Sequence, residues 1–233
     1  MGPPAPPAWP ARAPGALFVT LEGADGTGKS TQVRALADRL RAAGHNTVTT
    51  REPGGSAGAE EIRRLLVTGA PERWSPETEA LLFTAARRDH VEGVIAPALA
   101  AGRVVISDRF VDSTRAYQGT TDPSGAARAR IDALHTLMIG IEADVTLVLD
   151  LDPAEAHARA LTRAGAAPTA EDRFEQRGAP FQAALAATFR AIAAAAPARC
   201  RLVDAAGAPA AVTARLWAAL APALPVVQPG TAP

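Results

Sequence analysis

Along this chain, short runs of apolar residues alternate with longer stretches in which apolar positions recur every three or four residues. That is the pattern of buried parallel strands, each followed by an amphipathic helix. Leu17-Phe18-Val19-Thr20-Leu21 reads as a buried strand. Val33, Leu36, Ala37 and Leu40 then give a helix over Ser30 to Ala43 one apolar face, and Gly44 stops it. Thr47 to Thr50 is a β-branched run and reads as a second strand. A strand–helix–strand unit of this kind requires a parallel sheet with helices on its faces.

The alternation continues. Glu60 to Val67 reads as a short helix, and Ser75-Pro76-Glu77 carries the cap, first-turn proline and early acid of another. That helix runs through Ala80, Leu81, Phe83, Thr84 and Arg87, with Pro97 expected to kink or divide it before Gly102. Val104-Val105-Ile106 is a buried strand with the polar end Ser107-Asp108-Arg109. Asp122-Pro123 opens a helix to about Ile139, and Val145 to Leu149 is a strand ending in Asp150. Asp152-Pro153-Ala154-Glu155 starts another helix, Leu202 and Val203 suggest a last strand, and Val212 to Leu220 a final helix. With no internal repeat, the chain reads as one domain over residues 16–222. A Pro/Ala-rich extension (1–15) and a tail (223–233), both expected to be disordered, flank it.

Composition narrows the possibilities. The formal net charge is zero, so no overall basic field draws the chain to nucleic acid or anionic membrane. No apolar run approaches the roughly 20 residues of a spanning helix. The extension lacks the basic start and continuous apolar core of a signal peptide. The single cysteine, Cys200, excludes an intrachain disulfide, reads as a packed thiol and fits a reducing, cytoplasmic setting.

Chemistry concentrates between the first strand and the first helix. Gly23-Ala24-Asp25-Gly26-Thr27-Gly28-Lys29-Ser30 matches G-x-x-x-x-G-K-[ST], a phosphate-binding loop. Its glycines let backbone N–H groups converge on phosphate oxygens, and the helix N-terminus adds partial positive charge. Gly23 through Thr31 are thus expected to hold a nucleotide, with Lys29 on the β- and γ-phosphates and Ser30 on Mg²⁺. Lys29 is the only lysine in the chain; every other fixed cation is arginine. Asp108, at a strand end, is a second candidate for Mg²⁺, and Arg109 beside it can take a phosphate in two-point fashion. Arg51 leaves the second strand at its carboxyl end, where parallel α/β sheets bind ligands.

Longer blocks carry a resemblance. Asp108-Arg109-Phe110-Val111-Asp112-Ser113-Thr114-Arg115-Ala116-Tyr117-Gln118-Gly119 is similar to the DR(Y/F/H)xxSxxAYQG signature of thymidylate kinases. Thr50-Arg51-Glu52-Pro53-Gly54-Gly55 resembles that family's TREPGG segment, and Leu82 to His90 its LFxAxRxxH helix. Asp172-Arg173-Phe174-Glu175 resembles the DRxE that follows its lid. The resemblance implies an α/β P-loop NTPase fold: a parallel five-stranded sheet flanked by helices, with a lid at about 159–173. It also implies a homodimer that transfers the γ-phosphoryl of ATP to dTMP with Mg²⁺.

Each residue's expected part then follows. Arg51 and Arg109 would clamp the acceptor phosphate, while Lys29 and lid arginines cover the donor. Phe83 would lie against thymine and Arg87, one turn on, would bond its edge, although Phe83 also suits a core position. Arg88, its neighbour, is left to solvent, and no role is assigned to His90. Gln118 offers a donor and an acceptor to the base. Tyr117, the only tyrosine, would pack on the sugar. Ser113 is a substrate contact or a cap. As in the family, Asp25 would reach the acceptor's sugar or metal shell. The family places a catalytic arginine either in the loop or in the lid. Gly26 occupies the loop position here, so Arg163, beside the flexible Gly165 to Ala170, is the expected catalytic arginine; Arg159, on the same helix face, reads rather as a surface charge. Another nucleotide kinase, or a nucleotide-dependent switch protein without an acceptor, are the rival readings.

Overall fold

The computed structural model describes residues 5–227 except 71, 121, 123 and 167–176, and only the backbone of 163–166. Among the described residues, five parallel strands form one sheet in the order β2-β3-β1-β4-β5. They are β1 (Leu17–Glu22), β2 (Thr47–Arg51), β3 (Val104–Asp108), β4 (Val145–Asp150) and β5 (Cys200–Asp204). Helices α1 (Lys29–Ala42), α2 (Ala57–Val67), α3 (Pro76–His90), α4 (Ala96–Ala100) and α5 (Val111–Tyr117) connect or follow the first three strands. The rest are α6 (Ala126–Met138), α7 (Pro153–Ala166), α8 (Gly178–Ala195) and α9 (Pro209–Leu220).

The two-residue period of β1 divides the core. Leu17, Val19 and Leu21 face α1 and α9, packing with Leu36, Leu40, Leu216 and Leu220. Phe18 faces the other way, into a cluster with Ile95, Leu99, Val105, Phe110 and Ile131. Its ring meets that of Phe110 edge-to-face, 4.9 Å between centroids. A third cluster, holding Ala116, Tyr117, Phe189 and the buried thiol of Cys200, packs α5 and α8 beside β4. Each fully buried leucine or phenylalanine in these layers contributes about 1.5–3 kcal/mol.

Pro97 does divide its helix. A π-helical turn over Val91–Ile95 separates α3 from α4 and absorbs the proline, whose ring would clash with the carbonyl one turn back. Two helices lacked an apolar stripe readable from sequence. α8 is alanine-rich, and α5 is buried at all of its positions.

Residues 5–15, expected to be a disordered extension, are instead packed on the body. Trp9 Nε1 donates to the Ile139 carbonyl at 2.6 Å, and the Arg88 guanidinium lies over the indole at 4.3 Å. Arg12 donates to both oxygens of Asp144 at 2.7 and 2.8 Å, and the Ala13 N–H to Leu99 O at 3.1 Å. Proline-rich composition understates this because one large aromatic can anchor a short arm. The tail also begins later than expected: Ala221–Ala223 form a short 3₁₀ turn and Leu224 lies on the core. Trp9→Ala removes one hydrogen bond and a cation–π contact, about 1–2 kcal/mol together. Calorimetry should therefore show Tm lowered by about 2–8 °C for a chain of this size, and an unchanged Tm would mean the arm adds nothing.

Candidate active site

The strand register builds the site. Leu21 of β1 pairs with Asp108 of β3, and Asp108 with Arg51 of β2, so the polar ends of three neighbouring strands lie side by side. The loop from Gly23 to Ser30 leaves β1 at this point and enters α1. Gly26 (φ +84°) has no room for a side chain, because a Cβ there would overlap the Ala156 carbonyl of α7. Inside the loop, Lys29 is buried and its ammonium donates to the carbonyls of Gly23 at 3.0 Å and Ala24 at 2.8 Å. The Thr27 hydroxyl donates to Ala24 O at 2.9 Å. These bonds draw the loop around the lysine.

Arg109 stands opposite, the one residue other than glycine with positive φ (74°) among those described. Its Nη1 donates to Gly23 O at 3.1 Å and to Ser113 Oγ at 2.9 Å. Its Nη2 donates to Asp25 Oδ1 at 2.5 Å and to the Tyr117 hydroxyl at 3.1 Å. The Tyr117 hydroxyl in turn donates to Asp25 Oδ2 at 2.6 Å. Asp25, expected to reach outward to a sugar, is thus held by Arg109 and Tyr117 in the cleft wall. Burial opposes the Arg109 charge, but the carboxylates of Asp25 and Asp108 outweigh it and hold the group firmly cationic. Burial, with Asp25 beside it, pushes the Tyr117 phenol well up, so it stays a donor.

One cleft is lined by Asp25, Glu52, Phe83, Arg87, Arg109, Ser113, Tyr117 and Gln118. Half-buried Phe83 and buried Arg87 both face it from α3. Arg87 is fixed by Glu52 Oε2 (2.8 Å from Nε) and Thr114 Oγ1 (2.9 Å from Nη2). Glu52 is shared with His90 Nδ1 at 3.0 Å, and His90 Nε2 lies 2.6 Å from Thr50 Oγ1. His90, given no role from sequence, is therefore a buried brace. Arg88 points away, to Glu92 and Trp9. Gln118 Nε2 donates to buried Glu79 at 2.8 Å, while its buried Oε1 has no hydrogen-bond partner among the described residues.

Two expected residues lie elsewhere. Arg51 is exposed, bonds Glu60 at 3.0 and 3.1 Å, and lines a second, open cavity with Ser30 and Asp108. Arg159 is partly exposed and paired with Glu155 on its own helix. The Arg163 side chain and Arg173 lie outside the described residues, as do Asp172, Phe174 and Glu175. Thr31 is exposed on the first turn of α1.

Ser30 Oγ donates to Asp108 Oδ2 at 2.6 Å, an all-oxygen pair suited to a hard cation. No group of three His, Cys, Asp or Glu among the described residues could hold a metal. A cation here would draw its remaining ligands from phosphate and water, as Mg²⁺ does.

The sequence profile of the family described as "Thymidylate kinase" matches residues 21–215. The chain belongs to the thymidylate kinase family. It is similar to the thymidylate kinase of Dinoroseobacter shibae, 60% identical over 191 residues, 82% of this chain and 89% of that one. It is also similar to that of Jannaschia sp., 57% identical over 196 residues, 84% and 91% of the two chains. The solved thymidylate kinase from Ehrlichia chaffeensis superposes with a TM-score of 0.67 at 33% identity, covering 89% of this chain and 99% of that one. As a thymidylate kinase the chain is a phosphoryl-transferring enzyme.

Burial pushes the Lys29 ammonium down to about 8, and the neighbouring Arg109 charge pushes the same way. Lys29 is cationic below that pH and loses its attraction for phosphate above it. kcat/KM for ATP, which reports the ionisations of the free enzyme, should fall up to tenfold per unit as pH rises past about 8. A profile flat from about pH 7 to pH 9.5 would contradict the placement of Lys29.

Proposed function

We propose that this enzyme transfers the γ-phosphoryl group of ATP to dTMP, giving dTDP and ADP on the way to dTTP. The observation that carries the reading is a phosphate loop and an acceptor cleft meeting at Arg109. Lys29 and the backbone of Gly23 to Thr31 receive the ATP phosphates, and Ser30 and Asp108 hold Mg²⁺, which neutralises charge on them. Arg109 takes the dTMP phosphate from the floor of the cleft. Arg51 reaches the same phosphate by leaving Glu60, a surface pair worth no more than about 1 kcal/mol. Phe83 covers one face of thymine, and Arg87 donates to its edge. Tyr117 and Asp25 border the sugar, with Ser113 beneath. Arg163 comes from the lid, because Ala156 leaves no space for an arginine at Gly26. The reaction needs charge neutralisation and alignment, and the site supplies cations on both sides of the transferred group.

Gln118 lines the cleft and its Oε1 accepts the N3–H of thymine. Cytosine has no proton there, so dCMP leaves the acceptor unpaired at about 1–3 kcal/mol, or roughly 10- to 200-fold. In a coupled ADP-release assay dTMP should exceed dCMP by that factor and exceed thymidine, which has no phosphate for Arg109. Turnover of dCMP or thymidine without turnover of dTMP would overturn the assignment.

The enzyme acts as a cytoplasmic homodimer. Leu81 of α3 and Leu137 and Met138 of α6 are exposed around an apolar groove also lined by Ala80, Ile131 and Leu134. Such a patch supports a two-fold contact with a second copy. Light scattering should give about twice the 23.9 kDa chain mass, falling to the chain mass in Leu81→Glu. A wild-type monomer would remove the dimer from the reading.

A further inference from the structure

Glu22 is the last residue of β1 and is fully buried, on the sheet face shared with Phe18 and Thr20. It lines neither the loop nor the cleft, and burial of a carboxyl is costly unless its hydrogen bonds are made. They are made in one direction only. Oε1 accepts the Phe110 N–H at 2.7 Å, and Oε2 lies 2.5 Å from Ser113 Oγ. Phe110 caps α5 with no side-chain bond of its own, so Glu22 substitutes for a cap from the neighbouring strand. Ser113 Oγ is also the acceptor for Arg109 Nη1.

The residue just before these two anchors is the strained one. Arg109 holds φ 74°, which an arginine adopts only when its surroundings over-determine it. Its N–H donates to Leu21 O at 2.9 Å and its carbonyl accepts from Ser107 Oγ at 2.7 Å. Those bonds fix the backbone and leave the side-chain direction to Ser113, Asp25, Tyr117 and the Gly23 carbonyl.

We infer that Glu22 is a positioning residue for the acceptor side: through Ser113 and the start of α5 it aims the Arg109 guanidinium at the phosphate of dTMP. The inference rests on the reading of Arg109 as the acceptor clamp. Burial, reinforced by Asp112, pushes the Glu22 carboxyl up to about 8, so it is neutral at neutral pH and does not cancel the Arg109 charge. A neutral carboxyl is a fork with one acceptor oxygen and one hydroxyl. The carboxamide of glutamine has the same shape and keeps an acceptor for the Phe110 N–H; the Ser113 hydroxyl, which donates to Glu22 Oε2, has only to rotate so that its Oγ accepts from the amide instead.

Steady-state kinetics in both substrates, with Tm measured in parallel, tests this. Glu22→Gln should stay within about threefold of wild type. Glu22→Ala should raise KM for dTMP about tenfold or more while KM for ATP changes less than twofold. Should Glu22→Ala not fold, Glu22→Met, which keeps the side-chain volume and drops both hydrogen bonds without touching the cleft, must show the same dTMP-selective loss. Unchanged KM for dTMP in the folded variants, or equal loss toward both substrates, overturns the inference. So does a Glu22→Gln enzyme as impaired as the alanine variant. Arg109→Gln serves as reference. If it leaves KM for dTMP unchanged, the clamp reading itself fails; if it raises KM and Glu22→Ala does not, only the positioning role fails.

Discussion

One ion pair joins the two halves of this site. Asp25 belongs to the loop after β1 and Arg109 to the turn after β3, and their side chains meet at 2.5 Å with only 18% and 15% exposure. Tyr117 closes the triangle from α5. Removing one partner of so enclosed a pair strands a charge away from water, commonly at about 3–5 kcal/mol. The pair exists because the sheet order sets β1 beside β3, which brings residues 84 positions apart into contact. The donor loop and the acceptor cleft are therefore one structure.

Around that pair the acceptor side is built from polar residues that the core has absorbed. α5 has no solvent face, yet it carries Asp112, Ser113, Thr114 and Arg115. Each is satisfied: Asp112 by Arg115 and Arg199, Ser113 by Glu22 and Arg109, Thr114 by Arg87. The series from Thr50 through His90 and Glu52 to Arg87 does the same for α3. A buried polar network that is fully paired is rigid, and phosphoryl transfer, which gains most from fixed charges, is served by that rigidity.

The donor side is organised differently. Lys29 is held by two loop carbonyls, bonds that an arriving phosphate can replace. The start of α7 closes on the loop at Gly26 and leaves no room for a side chain there.

The sequence by itself determined the strands, the phosphate loop and the family. These depend on local pattern and on contiguous motifs such as Gly23 to Ser30 and Asp108 to Gly119. It did not reveal α5, because helix periodicity is visible only when one face meets water, and α5 has none. It missed Glu22, Glu52, Thr114 and His90 as braces, and it took residues 5–15 for a free arm although Trp9 anchors them. Nor does a linear pattern show that Arg51, paired with Glu60, lines a separate cavity from Arg109. Only the tertiary structure decided which acids and arginines face each other. Pairing energy depends on distances between residues far apart in the chain, and a linear pattern carries residue types without those distances.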